Sequence, residues 1–225
     1  MTDTGLAEYK SLFKISYIVT ILMLIIIPIQ IIVFFLTKIP SSTIEWFSLF
    51  DSNIVLGFFH ADLFILLNNL FIAIIYLSFY HLLKHTNKGL LQVGIVLGLL
   101  GIAAYISSNK TFELLALSRQ YFSVETVEAK GIIEAAGLSL LREWQGTAFD
   151  SYYVLNGITL LIVSILMYKS TIFNKVTATW GLISAVLMTV PSTAGMIGMI
   201  FSLLSLVPWY VFSIRFLKIF KEYSR

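Results

Sequence analysis

Two polar stripes interrupt the apolar stretches of this sequence, and their side chains are of types that can hold a small molecule. In the first stripe Asp62, Asn69 and Tyr76 are seven residues apart, so a helix places them on one face, with Asn68 beside them. A polar group in hydrocarbon raises the free energy unless it finds a partner. We therefore expect this face to point into a helix bundle.

The second stripe consists of Tyr152, Asn156 and Thr159, with Asp150 at its start and Arg142 shortly before it. The guanidinium of an arginine can receive an anionic headgroup or a carboxylate. We predict an outward-facing polar cavity between the two stripes. Its candidate ligand-binding residues are Asp62, Asn69, Arg142, Asp150 and Asn156.

A purely structural role for these residues is the alternative. Asparagine and threonine commonly form hydrogen bonds between packed membrane helices. A carboxylate such as Asp62 or Asp150 is also favoured at a helix N-terminus, where it caps free N–H groups and meets the positive end of the dipole. Glu134, Arg142 and Glu143 would then form a solvated charged face, whose ion pairs contribute little.

Catalytic and metal chemistry have weak support in the sequence. His81 and His85 share a helix face at a charged span end, where interfacial exposure is their ordinary role. His60 and Asp62 form an H-x-D pair, but catalytic zinc usually needs three protein ligands. Nucleophile-elbow, zinc-protease and phosphate-loop motifs are absent, and so is cysteine. We therefore predict no catalytic residue, no metal and no cofactor.

The composition places these stripes in a membrane protein. The chain has 225 residues, of which 58% are hydrophobic and 12% charged, against about 25% charged in soluble domains. The net charge is +3, but the basic residues stand singly at the ends of apolar stretches and form no patch. We therefore expect a membrane lipid environment and no nucleic-acid partner.

Six apolar stretches are each close to the ~20 residues that cross a bilayer as a helix. The predicted spans are residues 15–37, 62–83, 89–107, 149–168, 173–190 and 194–214. Residues 176–214 carry no charge, and a single helix of that length would reach ~58 Å, about twice the hydrocarbon thickness. We expect the chain to reverse at 191–195, where Pro191 and Gly195 break a helix.

The basic residues predict the orientation of these spans. Most of them fall in the segments that share a side with both termini, which the positive-inside rule assigns to the cytoplasm. These are Lys10, Lys14, Lys84, Lys88, Lys169, Lys175, Arg215, Lys218, Lys221 and Arg225. The other side carries Lys38, Lys110, Arg119, Lys130 and Arg142.

Two segments on the outer side are more than connectors. Residues 38–61 are rich in aromatic residues, which is typical of an interfacial turn or of a second span that starts early. Residues 109–146 have apolar residues at helical spacing. We expect the third helix to continue beyond the membrane, turn near Ser123 and return as a short amphipathic helix. This segment would form a helical extracytoplasmic cap between spans three and four.

Gly94 and Gly98 match the G-x-x-x-G pattern on the third span. Small residues at this spacing let two helices approach closely. The pattern predicts close packing within the chain or a homodimer through Gly94 and Gly98.

Several short motifs resemble those of a known family. They are Ala61-Asp62-Leu63, Tyr80-His81-Leu82-Leu83, Gln145-Gly146-Thr147-Ala148-Phe149, Met167-Tyr168-Lys169-Ser170 and Trp180-Gly181. With these motifs the chain resembles an uncharacterised bacterial family of six-span integral membrane proteins, a domain of unknown function. The likeness covers most of the chain after Leu56. The resemblance implies an all-α polytopic bundle in the bacterial cytoplasmic membrane, and it implies no activity.

Three functions are compatible with these features. The leading interpretation is a non-enzymatic multi-pass membrane protein whose outward-facing cavity binds a lipid or small solute, or which serves as an accessory or sensory protein. The second is a membrane-embedded enzyme that acts on lipid, with Asp62, Glu134 and Asp150 as acid or base. The third is a small dimeric transporter, which would need polar groups in the inner half of the membrane, where the sequence offers mainly Gln30, Ser78 and Ser164.

Overall fold

Helices make up the regular structure of this chain. The computed structural model describes residues 4–191 and 193–225, and no strand occurs in these ranges. The helices are α1 (Thr4–Ala7), α2 (Lys10–Leu36), α3 (Thr43–Ser52), α4 (Ile54–His60), α5 (Leu63–Ser108), α6 (Thr111–Ser123), α7 (Val127–Trp144), α8 (Thr147–Lys169), α9 (Lys175–Met188) and α10 (Gly195–Tyr223).

Four helical stretches of the described chain are long and apolar enough to cross a membrane. They are Lys10–Leu36, which is α2, Leu63–Ser123, which comprises α5 and α6, Val127–Lys169, which comprises α7 and α8, and Gly195–Tyr223, which is α10. The apolar helix α9 has only 14 residues, so it is shorter than the ~20 residues of a full span. The chain reverses between Met188 and Gly195, as expected for the charge-free segment, although Ser192 of the expected break lies outside the described residues.

Helix α5 contains a reversal at Asn87. The backbone of this residue is extended, with φ −161° and ψ 98°. Its side-chain Oδ1 accepts a hydrogen bond from the N–H of Leu90 at 3.0 Å, as an N-cap does. Two arms result, 63–86 and 88–108, and they lie side by side because Gly98 of the second arm packs on Tyr76 of the first.

Small residues allow the second arm to pack closely on α8. Gly94 lies against Ile162, and Gly98 lies against Thr159, so both glycines are covered within the chain. The hydroxyl of Thr159 donates a hydrogen bond to the carbonyl of Gly94 at 2.8 Å. The G-x-x-x-G pattern therefore serves intrachain packing here, and another helix could reach these glycines only by displacing α8. A homodimer stays a prediction.

The helices α2, α5, α8, α9 and α10 form a closed ring, because each contacts the next and α10 returns to α2. The outward face of α2 is apolar and exposed. It carries Ile15, Ile18, Leu22, Ile25, Ile29 and Ile32. The inward face of α2 carries the buried polar residues Ser16, Thr20 and Gln30. This inverted arrangement is the one expected of a helix in lipid.

One end of the ring is filled by aromatic side chains. Phe79 of α5 packs on Phe212, Phe216 and Phe220 of α10, with ring centroids 5.2 to 6.2 Å apart. All four rings are at most 1% exposed. The ring interior is solid at this end, which is the end where both chain termini lie.

The opposite end carries four further helices. The segment 38–61, expected as a turn or an early span, instead forms α3 and α4, which pack on α6 and α7. Ser118 of α6 donates a hydrogen bond to the carbonyl of Phe47 at 2.7 Å. The segment 109–146 forms α6 and α7 joined at 124–126, and α6 is separated from α5 at Asn109 and Lys110 rather than continuing it.

The contact between Gly98 and Tyr76 predicts a packing defect when Gly98 is enlarged. A Cβ at Gly98 would lie 2.5 Å from Cε2 of Tyr76, whereas a Cβ at Gly131 of α7 would have no neighbour within 4 Å. We expect Gly98→Ala to lower the free energy of unfolding by about 1–3 kcal/mol, as overpacking does. We expect Gly131→Ala to leave it unchanged or higher, because alanine favours helix.

Thermal unfolding of both variants in the same detergent measures this difference. A Gly98→Ala variant as stable as Gly131→Ala would show that the two arms of α5 do not pack as described.

Candidate ligand-binding cavity

A cavity of about 680 Å³ lies inside the helix ring, at the end away from the aromatic rings. Its walls come from α2, the first arm of α5, α8, α9 and α10, and its rim from residues 39–46 and the last turn of α7. Ligand sites in proteins commonly have volumes of about 300–1,000 Å³. The size is therefore suited to a small molecule.

The turn between α4 and α5 forms the polar part of the cavity wall, and hydrogen bonds hold it from two sides. Gln30 of α2 donates from Nε2 to the carbonyl of Phe59 at 2.6 Å. The carbonyl of Ala61 accepts hydrogen bonds from Asn109 Nδ2 at 2.8 Å and from Thr111 Oγ1 at 2.6 Å. We call residues 59–62 the α4–α5 turn, and it joins the helix ring to the α6–α7 pair.

Asp62 ends this turn in a conformation that is unusual for its residue type. Its φ is 60°, which lies in the left-handed region. Among the described residues other than glycine, Asp62 alone has a positive φ. It occupies the N-cap position of α5, but its side chain caps no N–H group, so the capping role proposed for it from the sequence is wrong. The side chain lines the cavity instead and interacts with Tyr105.

The hydrogen bonds of His60 determine which of its ring nitrogens carries the proton. Thr37 donates its hydroxyl proton to the carbonyl of Val33 at 2.6 Å. A hydroxyl has one proton to donate, so the 2.9 Å contact between Thr37 Oγ1 and His60 Nε2 requires the ring to donate. Burial lowers the pKa of His60, which favours the neutral ring. Nδ1 is then a hydrogen-bond acceptor.

Four cavity-lining side chains contain a buried polar atom that has no hydrogen-bond partner among the described residues. These atoms are Gln30 Oε1, His60 Nδ1, Asn68 Oδ1 and Trp144 Nε1. The hydroxyl of Tyr105, also in the lining, has the carboxylate of Asp62 as its partner. A buried polar group left unpaired costs roughly 1–3 kcal/mol. Because all four side chains line one cavity, an occupant of that cavity is the nearest source of the missing partners.

The two polar stripes meet across the helix interface, as the spacing of their residues predicted. Tyr76 donates to Asn156 Oδ1 at 2.6 Å, and Tyr152 donates to Asn69 Oδ1 at 2.7 Å. Tyr76, Tyr152 and Asn156 line the cavity, whereas Asn69 is fully buried outside its lining. These bonds fix the relative height of α5 and α8, so part of the stripe is structural.

The structure separates the two charged residues predicted beside the second stripe. Arg142 lines the cavity, is exposed, and has no ion pair with a described residue. Asp150 lies outside the lining, and its Oδ1 accepts a hydrogen bond from Thr193. Of the five predicted ligand-binding residues, Asp62, Arg142 and Asn156 therefore line the cavity and Asp150 and Asn69 do not.

For two polar residues of the cavity, the structure differs from what the sequence predicts. Gln30 was placed in the inner half of the bundle, but its bond to Phe59 places it at the α4–α5 turn. Trp144 was not considered as a site residue, and its edge-on contact with Trp46 at 5.5 Å helps to form the rim. The sequence signal for Gln30 as a cavity residue is that it is a lone glutamine within the apolar run of α2.

The rim segment is held by Glu45. Its carboxylate accepts hydrogen bonds from Lys38 Nζ at 2.8 Å and from the N–H and hydroxyl of Ser41 at 2.7 and 2.9 Å. The Lys38 bond first, and then the bonds from Ser41, lower the pKa of Glu45 to about 2. Residues 39–43 line the cavity between these partners, so this cluster shapes the opening.

The described part of the chain contains no group of three or more histidine, cysteine or acidic residues that could hold an ion. His60 and Asp62 are thus two potential ligands without a third. Glu134, which was considered as a catalytic acid or base with Asp62 and Asp150, also lies outside the cavity lining.

Comparison with known proteins gives a family and no function. A family model described as a domain of unknown function, DUF4386, matches residues 15–217. No curated protein and no solved structure matches the chain.

The depressed pKa of Glu45 predicts how the rim responds to pH. A carboxyl group whose pKa is lower in the folded state stabilises that state above its ordinary pKa of 4.5, and this contribution is lost as the pH falls towards about 2. We therefore expect hydrogen exchange of residues 38–45 to speed up, relative to the intrinsic rate, as the pH falls through this window.

Lys38→Met removes the largest cause of the shift, so it should raise the pKa of Glu45 in an NMR titration. Lys110→Met removes the other ion pair, between Lys110 and Glu143, and should leave that pKa unchanged. An unchanged Glu45 pKa in Lys38→Met would contradict the described cluster.

Proposed function

The chain belongs to the DUF4386 family, and we propose that it is a non-enzymatic membrane protein that binds one amphiphilic molecule, a lipid or a lipid-like solute, in its cavity. The observation that carries this proposal is the set of four unpartnered polar atoms in side chains lining one cavity. A binding site needs a few placed polar groups in an otherwise apolar wall, and this cavity has both.

The apolar part of the wall favours an amphiphile over a polar solute. It is formed by Ile27 and Ile31 of α2, by Ile72 and Leu160 of the facing helices, and by Leu203, Leu206 and Trp209 of α10. Such a wall suits an acyl chain, and the α4–α5 turn at one end suits a headgroup.

The seam between α2 and α10 supports access from the bilayer. Tyr210 donates a hydrogen bond to the carbonyl of Leu24 at 3.1 Å and so joins the two helices. Further towards the rim, Ile31 and Leu203 line the cavity on either side of the seam. Leu203 is 52% exposed although it lines the cavity, so its side chain is loosely packed beside the seam.

Binding is favoured over transport and catalysis by what surrounds the cavity. The buried rings of Phe79, Phe212 and Phe216 fill the ring interior between the cavity and the end with the chain termini. A transport path would have to pass through them. Catalysis needs two titratable groups around one reacting position. Of Asp62, Glu134 and Asp150, the acids considered from the sequence, only Asp62 lines the cavity, so that acid–base set is not assembled there.

We also propose six membrane crossings, with both termini in the cytoplasm of a bacterial cell. Five spans are α2, the two arms of α5, α8 and α10, and the sixth is the short helix α9 together with the residues that flank it, 173–190. The reversal at Asn87 supports two crossings within α5. The basic residues at the end with the termini support the orientation. The helices α6 and α7 would then form an outer cap over the cavity.

Filling the cavity should displace its occupant. Leu206 lines the cavity, whereas its neighbour Leu204 is 53% exposed and is not part of the lining. We expect Leu206→Trp to lower the amount of copurified lipid by about tenfold, a loss of ~1.4 kcal/mol in binding. Leu204→Trp should retain the wild-type amount.

Native mass spectrometry of protein extracted in its own lipids measures this difference, with thermal unfolding as the test of folding. A folded Leu206→Trp protein that retains lipid as well as Leu204→Trp would refute the proposed site.

The absence of cysteine allows a direct test of the orientation. We expect a membrane-impermeant maleimide to label Ser139→Cys on α7 in intact cells and to label Lys88→Cys only after lysis. Both positions are exposed, so accessibility alone does not distinguish them. Labelling of Lys88→Cys in intact cells would reverse the proposed topology.

A further inference from the structure

Asp62 is an acid in the cavity wall without a basic partner. It forms no ion pair with any described residue, and the cavity lining contains no lysine. Arg142 is the arginine in the lining, and it belongs to the exposed rim on α7. The partner that the protein does supply is the neutral hydroxyl of Tyr105. A carboxylate in an apolar enclosure is stabilised further by a cation, and the occupant can provide it.

Two further acceptors belong to the same turn. The amide of Gln30 is fixed with its NH2 group towards the carbonyl of Phe59, so its buried Oε1 is an acceptor. The neutral ring of His60 donates from Nε2 to Thr37, so its buried Nδ1 is also an acceptor. Gln30 and His60 are 2% and 3% exposed. Three acceptor groups therefore surround the α4–α5 turn.

From this arrangement we infer that the occupant of the cavity carries a primary ammonium group, which binds at the α4–α5 turn against Asp62, Gln30 and His60. This inference rests on the proposed binding function and names its ligand class. A primary ammonium carries one positive charge and three N–H donors, which matches one carboxylate and two neutral acceptors. A quaternary ammonium has the charge without the donors, and a hydroxyl has a donor without the charge.

The other end of the headgroup would meet donors. Arg142 and the buried Nε1–H of Trp144 line the cavity at the rim and have no acceptor among the described residues. An anionic group beside the ammonium, such as a phosphate, suits them. The same zwitterionic chemistry is found in a phospholipid with an ethanolamine headgroup and in free phosphoethanolamine, and the apolar wall favours the phospholipid.

Competition between lipids tests this inference. The full chain is incorporated into nanodiscs that contain equal amounts of ethanolamine, choline and glycerol phospholipids with the same acyl chains. It is then extracted in detergent, and the retained lipids are identified by native mass spectrometry. We expect the ethanolamine lipid to be enriched about tenfold or more over the other two, because charge-assisted hydrogen bonds are lost with either competitor.

Asp62→Asn removes the charge at nearly constant shape, and asparagine tolerates the left-handed conformation of this position well. It should abolish the enrichment. Asp51→Asn, on the exposed end of α3, makes the same chemical change away from the cavity and should preserve it.

The remaining outcomes separate the two proposals. Equal retention of all three lipids by wild type and by Asp62→Asn overturns the ammonium inference and leaves lipid binding intact. Retention of no lipid by a folded protein overturns both. Soluble phosphoethanolamine that displaces the ethanolamine lipid at equal concentration supports the ammonium site but assigns it to a soluble ligand.

Discussion

The α4–α5 turn is the constraint on which the rest of this structure depends. It receives hydrogen bonds from α2 through Gln30 and from the α6–α7 side through Asn109 and Thr111. Each bond goes to a backbone carbonyl at the end of α4, where the helix no longer supplies the N–H group four residues on. The turn therefore connects the membrane helices to the helices beside them, and it presents Asp62 to the cavity as a result of its geometry.

The bundle also shows how polar groups are managed when the surroundings are apolar. Hydrogen bonds join Tyr76 to Asn156 and Tyr152 to Asn69, so these polar groups serve the packing of α5 on α8. Gly98 and Gly101 of the second arm leave the space that the side chains of Tyr76 and Asn156 occupy. About half of the buried polar atoms without partners among the described residues belong to side chains that line the cavity, and the others lie elsewhere in the bundle.

The sequence predicted the helices well and the site in part, for physical reasons. Apolar stretches near 20 residues and a seven-residue polar spacing are local signals, so the helical regions and the meeting of the two stripes could be inferred. The roles of Asp150 and Asp62 depend on neighbours distant in sequence, namely Thr193 and Tyr105. The short helices α3 and α4 are defined by packing on α6, which no local pattern reports.

The aromatic side chains packed around Phe79 also bear on the rates at which the cavity could take up and release a ligand. A cavity that packed side chains close at one end has a single route in and out at the other. Uptake and release of a ligand would therefore follow the same path in opposite directions. Tightening the seam between α2 and α10 would then slow both rates together and leave the equilibrium almost unchanged. If the cavity binds a molecule as proposed, the residence time of that molecule depends on the barrier at this seam as well as on the affinity.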